Sequence, residues 1–449
     1  MARGSSIASA YRQLSHISQM FIPFQQPKQM PATHLLCDPL NRGTMPTRDV
    51  LIIAHFTGDD ENSNNRFNEL ARRLSAEGMT VEIATSSFSH VRKVQRNWAF
   101  GNHSYTITHI SELGYRRNVS LFRLVSHKVM ARNLERYLLT RTRPDVIYCA
   151  VPSLAISKIA AQYATSHGIR FVIDVQDLWP EAFQMVFDPP VLGRILYGPM
   201  RRKADSIYRS ADSIVAVSKT YLRRAAMAVP SCSDLHVVYL GTDLGRFDEL
   251  ARSGPHPVKP SGERWIAYIG TLGHSYDLVT VIDAMRLALD RGANDLRLVV
   301  MGDGPLRGKF ERYARDRDVP AEFLGRLDYG SMVRRLVVCD IAVNPIVAQA
   351  AQSVINKVAD YAAAGLPVLN TQECEEYRDL LVAYRAGLNC KNGDACDLSQ
   401  KLLLLDRDES LRKELGANNR RLAEEKFDRA TTYTELTRVI RSWLSCPGP

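Results

Sequence analysis

The feature that most constrains this chain is a succession of short apolar runs with helical stretches between them. Asp49–Phe56 (DVLIIAHF) opens the series and reads as a strand buried on both faces. Thr57–Asn65 is a polar loop, and Phe67, Leu70, Ala71 and Leu74 then recur at helical spacing until Gly78. Thr80–Thr85 is the next strand, and Asp145–Cys149, Phe171–Val175 and Ile214–Val217 follow. Strand, loop, helix and strand in that order open a doubly wound α/β domain. Its first loop carries only Gly58, so the G-x-G-x-x-G of dinucleotide binding is missing.

The pattern then pauses and restarts. Gly241–Gly262 is rich in Gly, Pro and Ser with few apolar residues, and reads as a linker. Trp265–Gly270 is a strand that runs through a glycine loop into a helix from about Leu278. Leu296–Met301, Phe323–Gly325 and Ile341–Val343 are further strands, and helices fill the chain after Asn370. The expected architecture is two Rossmann-like α/β domains facing a central cleft. The boundaries are an extension at 1–48, a first domain at 49–240, the linker at 241–262, a second domain at 263–427 and a C-terminal helix at 428–449. At 449 residues each domain can bury its own core. The extension is basic, without an acid before Asp38, and Met45 would also make a sensible start.

Doubly wound sheets bind ligands beyond the carboxyl ends of their strands. Five stretches fall there. Gln352–Asn370 (QSVINKVADYAAAGLPVLN) leads through a polar turn into a short helix that Gly365 and Pro367 stop. Lys357 in its first turn suits a phosphate, and Asp360 lies one turn on, where it could accept from a pair of sugar hydroxyls. An ordinary capped helix with a solvated Lys and Asp fits the spacing equally well. The loop Thr271–Asp277, containing Gly273 and Tyr276, and the turn Gly302-Asp303-Gly304-Pro305 each follow a strand. Asp174 and Asp177 sit in DVQDLWPE, at the end of another. His90 follows the second strand, with Arg92, Lys93 and Arg96 behind it; it is an exposed loop histidine suited to a phosphorylated acceptor.

Charge narrows the partners. The net charge of +10 favours acidic ones. Residues 116–143 hold eight Arg or Lys against Glu135 alone, with Leu121, Leu124, Val125, Val129 and Leu138 as an apolar stripe. Such a helix fits an anionic membrane surface, at ~1 kcal/mol per basic residue. With no aromatic stacking motif among those charges, nucleic acid is excluded as a partner. The eight cysteines are scattered without a C-x-x-C pair, which fits reduced thiols in the cytoplasm. No cluster at metal-ligand spacing stands out, so neither metal nor cofactor is expected. No apolar stretch approaches the ~20 residues of a membrane span.

Several motifs in order resemble the bacterial family 4 glycosyltransferases. Val175–Glu181 (VQDLWPE) is similar to their DLWPE signature, and Arg209–Ser218 (RSADSIVAVS) to a second element. Tyr268–Gly273, Gly302–Pro305, and Asn356-Lys357 with Asp360-Tyr361 and Gly365-x-Pro367 follow in the family's order. The resemblance spans about residues 49–444. It implies the GT-B fold, with the nucleotide sugar held by the second domain, the acceptor by the first, and the last helix crossing back.

The resemblance further implies a retaining transferase that moves a sugar from a nucleotide-diphosphate sugar, a UDP-sugar foremost. The acceptor would be a saccharide, on a lipid carrier, in exopolysaccharide, capsule or O-antigen synthesis at the inner face of the plasma membrane. Asp177 and Lys357 would be catalytic. Gly273, Tyr276, Gly302, Gly304, Gln352, Asn356 and Asp360 would line the donor, and His90 and Asp174 the acceptor. The family's paired glutamates fall here on Gln352 and Asp360, so Asp360 would hold the ribose. Arg and Lys that often follow the glycine loop are absent from Thr271–Asp277, which leaves Lys357 as the main diphosphate cation. A nucleotide-sugar 2-epimerase or phosphorylase on the same fold, and a degenerate partner subunit, are the rival readings.

Overall fold

The computed structural model describes residues 48–57, 65–96, 103–117, 120–184, 192–230, 234–348 and 353–445. The predicted N-terminal extension, Met45 and Gln352 lie outside them. Two parallel sheets organise the rest. The first runs β5-β2-β1-β6-β7-β8-β9, from β1 (Asp49–Ile53), β2 (Thr80–Ser86), β5 (Thr106–Ile110), β6 (Val146–Val151), β7 (Arg170–Val175), β8 (Ser213–Ala216) and β9 (Leu235–Val237). A small hairpin, β3 (Phe88–Ser89) and β4 (Val94–Gln95), stands outside it. The second sheet runs β12-β11-β10-β13-β14-β15, from β10 (Arg264–Ile269), β11 (Leu296–Met301), β12 (Ala321–Gly325), β13 (Ile341–Asn344), β14 (Val368–Asn370) and β15 (Gly387–Asn389).

In each sheet the order reverses beside its first strand. That point lies between β1 and β6 in one sheet and between β10 and β13 in the other. There the loops leave in opposite directions and open a crevice. The pleat explains why the strands read as unbroken apolar runs. Leu51 and Ile53 of β1 face one core, whereas Val50 and Ile52 face the other, and all four are buried.

Helices cover both faces. In the first half they are α1 (Arg66–Ala76), α2 (Leu121–Thr140), α3 (Leu154–His167), α4 (Glu181–Gln184), α5 (Leu192–Arg209) and α6 (Lys219–Ala226). Ser218 caps α6, its side chain accepting from the Tyr221 N–H. The stretch read as a linker contains a helix, α7 (Leu244–Arg252). Asp243 caps it, and Leu244 and Phe247 are buried against the second sheet. Two anchors three residues apart on one helix face were enough to fold it.

The second half carries α8 (Leu278–Leu289), α9 (Arg307–Asp316), α10 (Tyr329–Leu336), α11 (Lys357–Ala363), α12 (Glu375–Tyr384), α13 (Ala395–Arg407) and α14 (Glu409–Leu422). After Phe427 the chain returns beside its outward path. Thr242 N–H donates to the Phe427 carbonyl at 2.8 Å, and the Arg429 guanidinium donates to the carbonyls of Leu240 and Gly241. The last helices, α15 (Arg429–Thr432) and α16 (Thr434–Ser445), pack on the first sheet, where Leu436, Val439 and Ile440 share a core with Phe67 and Leu70 of α1.

The basic helix is turned differently from its expected stripe. Leu121, Leu124 and Val125 are exposed, and the buried face of α2 is Ser126, His127, Met130, Ala131, Leu134 and Leu138. Ser126 turns inward to bond with Glu112 and Gly114 in the loop after β5, and His127 sits against the rings of His55, Tyr115 and Trp179. Leu121 (82 % exposed) and Phe122 (59 %) are left facing water, with Leu113 beside them in sequence on the preceding loop. Among the described residues no helix is long and apolar enough to cross a membrane.

Candidate active site

The second sheet's crevice is built by three loops that pin one another. Leu272 N–H donates to the Asp303 carbonyl at 2.9 Å, and Leu306 N–H to the Leu272 carbonyl at 3.0 Å. Asp277 N–H donates to the Pro345 carbonyl and Val347 N–H to the Ser275 carbonyl. These contacts bring Gly273, Tyr276, Gly302 and Gly304 to one place. The glycines are a packing requirement there. A Cβ on Gly302 would lie 1.8 Å from the Gly270 carbonyl oxygen, and one on Gly304 2.4 Å from that of Leu272.

Lys357 opens α11 and is only 9 % exposed. Its Nζ lies 4.2 Å from the ring centre of Tyr268 and 4.0 Å from that of Tyr276. Among the described residues no group accepts a hydrogen bond from it. Burial pulls its ammonium well below the usual lysine range. Two ring faces return about 0.5–2 kcal/mol each at such a site, against several for burying an unpaired ion. A bound anion would supply the missing partner. The helix contributes less than its sequence suggested. It has seven residues, and the exposed Asn356 before it makes no side-chain cap bond.

Asp360 is on the same helix, one turn on. Tyr329 donates to its Oδ1 at 2.9 Å, and the Tyr329 hydroxyl also meets Thr242 Oγ1 at 2.9 Å. Burial raises its carboxyl to about 6, against the pull of those hydroxyls and Arg429.

The first sheet's crevice holds the residues expected on the acceptor side. Asp177 stands just beyond β7, accepting from the Leu178 N–H at 2.9 Å and from Trp179 Nε1 at 3.2 Å. Burial raises its carboxyl, while these donors and Arg123 oppose the rise. Asp174 is elsewhere in character. It is fully buried and paired with Arg66 at 2.7 Å, and Tyr148 donates to it at 2.9 Å. Its partners make it a structural ion pair that ties β7 to α1, not a residue that meets acceptor. His90 is not an exposed loop residue either. It is part-buried, with Nδ1 2.5 Å from the Tyr115 hydroxyl, and burial together with Lys93 lowers its imidazole to about 4.

The structure adds residues that pattern reading passed over. The Arg123 guanidinium lies 4.8 Å from the Trp179 ring, 5.5 Å from Tyr115 and 5.6 Å from Phe56. Counted in sequence among the surface charges, it belongs to this crevice. Beneath it, His55 Nε2 meets Glu112 at 2.8 Å and His55 Nδ1 meets the Ser153 hydroxyl at 2.5 Å. Ser86 and Ser126 donate to the same carboxylate at 2.5 and 2.7 Å. Burial alone would raise Glu112, but His55 and the hydroxyls hold it down at about 2. Burial lowers both His55 and the neighbouring His127, the latter to about 2.

His55, Glu112 and His127 offer ligand atoms within 4.8 Å of one another, a set that could hold a metal ion. Each of the atoms facing that point is already hydrogen-bonded, and Arg123 Nε lies 3.4 Å from His127 Nε2. A guanidinium so close opposes a second cation, so the set is better described as a hydrogen-bonded knot under the crevice.

Comparison with known proteins bears on both halves. Residues 63–246 match the family model described as Glycosyltransferase Family 4, and residues 263–408 match the one described as Glycosyl transferases group 1. No curated protein matches the sequence. Among solved structures the chain is similar to HepE of Anabaena in complex with UDP and glucose, at 14 % identity, 88 % of this chain, 100 % of that one and a TM-score of 0.60. It is similar to WaaG, a glycosyltransferase involved in lipopolysaccharide biosynthesis, at 14 % identity, 87 % and 99 % coverage and a TM-score of 0.62. A UDP-N-acetylglucosamine 2-epimerase described as putative, from Listeria monocytogenes, shares the fold at 12 % identity, 90 % and 98 % coverage and a TM-score of 0.58. At such identities the structures speak for the fold, and the family models speak for the chemistry. With one model on each half of a two-sheet fold, this chain is a family 4-type glycosyltransferase of the GT-B fold.

Proposed function

We propose that this chain transfers a sugar from a UDP-sugar to an acceptor hydroxyl with retention of anomeric configuration. The observation that carries the reading is Lys357, a buried ammonium held between Tyr268 and Tyr276 with no acceptor among the described residues. A diphosphate is the ligand that would complete it, and Asp360 on the same helix is set to accept from ribose hydroxyls. UDP in the Anabaena structure supports this choice of nucleotide.

In the reaction, the bond from C1 to the diphosphate oxygen breaks and a bond from the acceptor oxygen to C1 forms on the same face. The acceptor proton passes to the departing diphosphate, so no strong protein base is required. Lys357 stabilises the charge that develops on the leaving group. Asp177 orients the acceptor or stabilises the cationic sugar centre, while Arg123 and the rings around it shape the acceptor side.

The acceptor is a lipid-linked saccharide of a surface polysaccharide, met at the inner face of the plasma membrane. Leu121, Phe122, Leu124 and Val125 support this: they are exposed apolar side chains on a helix otherwise rich in Arg and Lys. Flotation with liposomes tests it. Anionic vesicles should carry the chain upward and neutral ones should not, and equal recovery removes the membrane from the proposal.

Product analysis tests the chemistry. A UDP-sugar and a saccharide acceptor should give UDP and an elongated acceptor with the donor's anomeric configuration. A sugar epimerised on its nucleotide, without acceptor, would replace transfer with the epimerase reading.

A further inference from the structure

Thr242 stands where the chain passes from the first sheet to the second, and the stretch that ends on it is held at every residue. Five consecutive carbonyls, Val238 to Thr242, accept from residues far away in the chain. Arg66 Nη1 donates to Val238 and Tyr239 at 2.9 and 3.1 Å. Arg429 Nε and the Tyr433 hydroxyl donate to Leu240, both at 2.8 Å. Arg429 Nη2 donates to Gly241 at 3.0 Å, and the Arg429 N–H to Thr242 at 2.9 Å. Both guanidinium groups lie over the Tyr433 ring, 5.1 and 5.5 Å from its centre. Arg66, Thr242, Arg429 and Tyr433 are all buried. A buried carbonyl that moves off its donor loses that bond without gaining one to water, so this stretch resists displacement.

The Thr242 side chain carries that anchorage into the donor crevice. Its Oγ1 lies 2.9 Å from the hydroxyl of Tyr329, the first residue of α10. Tyr329 spends its one proton on Asp360 Oδ1 at 2.9 Å, so Thr242 is the donor to Tyr329. The order is crossover, Thr242, Tyr329, Asp360. The last torsion of an aspartate side chain is soft, and a donor fixed on one oxygen sets the plane of the carboxylate. Each carboxylate oxygen accepts twice, so Oδ1 can keep Tyr329 and still meet a ribose hydroxyl.

We infer that Tyr329 and Thr242 are positioning residues for ribose: Thr242, held by the crossover, aims the Tyr329 hydroxyl, which turns the Asp360 carboxylate toward the sugar's diol. The C-terminal crossing, through Arg429, thereby takes part in reading the nucleotide. This role rests on the proposed nucleotide site, and its test separates the two.

The test reads the ribose apart from the diphosphate. Calorimetry compares UDP with dideoxyuridine diphosphate, which lacks both ribose hydroxyls. The native chain should prefer UDP about 10- to 100-fold, as for hydrogen bonds to a carboxylate. Tyr329→Phe should cut that preference about 3- to 10-fold and Thr242→Val about 2- to 5-fold, with affinity for the dideoxy analogue held within about twofold. Thr242→Ser, which keeps the hydroxyl, should keep the native preference. The double variant of Tyr329→Phe and Thr242→Val should match Tyr329→Phe alone, because Thr242 acts through that hydroxyl.

A native preference in either Tyr329→Phe or Thr242→Val overturns the inference. So does an equal fall in affinity for both nucleotides, which would make the hydroxyls part of the fold alone. A native chain that binds UDP and the analogue equally overturns the ribose role of Asp360, and this inference with it, but not the diphosphate role of Lys357. A native chain that binds neither overturns the nucleotide-sugar reading itself.

Discussion

At the first sheet's switch point, His55 and Glu112 are saturated by one another and by Ser86, Ser126 and Ser153. At the second, the Lys357 ammonium has no acceptor among the described residues. Two sheets with one topology thus finish the same crevice in opposite ways. A buried pair whose hydrogen bonds are complete is a fixed floor. A buried charge left open costs stability, which only a ligand offsets. On the proposed reading the acceptor crevice is built before anything binds, and the donor crevice is completed by the nucleotide sugar.

The largest effect expected from this contrast is at Glu112. Glu112→Ala leaves His55 and the two hydroxyls of Ser86 and Ser126 without their acceptor, and should lower stability by about 3–5 kcal/mol in denaturant unfolding. Native stability in that variant would erase the contrast from the first side. Lys357→Met should do the reverse. It keeps the bulk between the two tyrosines and removes the charge, so kcat/KM should fall about 100- to 1000-fold while the melting temperature holds or rises. A variant with full activity and a lower melting temperature would erase the contrast from the other side.

Affinity for UDP should have a pH optimum, measured by calorimetry across pH 5 to 9. Asp360 accepts from ribose only when ionised, and its carboxyl is raised to about 6, so affinity falls as pH drops below that value. At pH 5 the loss should be about tenfold. Burial depresses Lys357 and the diphosphate restores it, so binding takes up a proton and affinity also falls as pH rises past the lysine's depressed value. Heats measured in two buffers of different ionisation enthalpy report that proton. A flat profile would mean that neither group meets the nucleotide.

The smallest effect is at Tyr329, whose hydroxyl donates to Asp360. Tyr329→Phe removes a hydrogen bond worth about 0.5–1.5 kcal/mol and one influence that lowers the carboxyl. The acid limb of the UDP profile should shift to higher pH, with the alkaline limb unchanged.

Much of the donor crevice was legible because its signals are local. Lys357 and Asp360 are one helical turn apart, and the loops with Gly273 and Gly302 each follow an apolar run. The acceptor crevice was harder, because its residues are joined only across the sheet. His55 was read as the tail of the first strand. Arg123 and His127 were read inside a charge run, though His127 is buried and Arg123 faces three rings. Glu112 drew no notice, yet it accepts from Ser126 on the buried face of α2. Asp174 and Asp177 stand three residues apart in one motif, and nothing in their spacing tells the buried ion pair from the cleft residue. Arg66, more than a hundred residues away in the chain, makes that distinction.

By itself the sequence determined the two Rossmann-like halves, most of their strands, and the loops beyond the strand ends. Those follow from hydrophobic periodicity and from glycine and proline positions, which act over a few residues. Only the tertiary structure decided which charges are paired and which are left open. Ionisation depends on burial and on partners brought from distant strands, and a linear pattern carries neither.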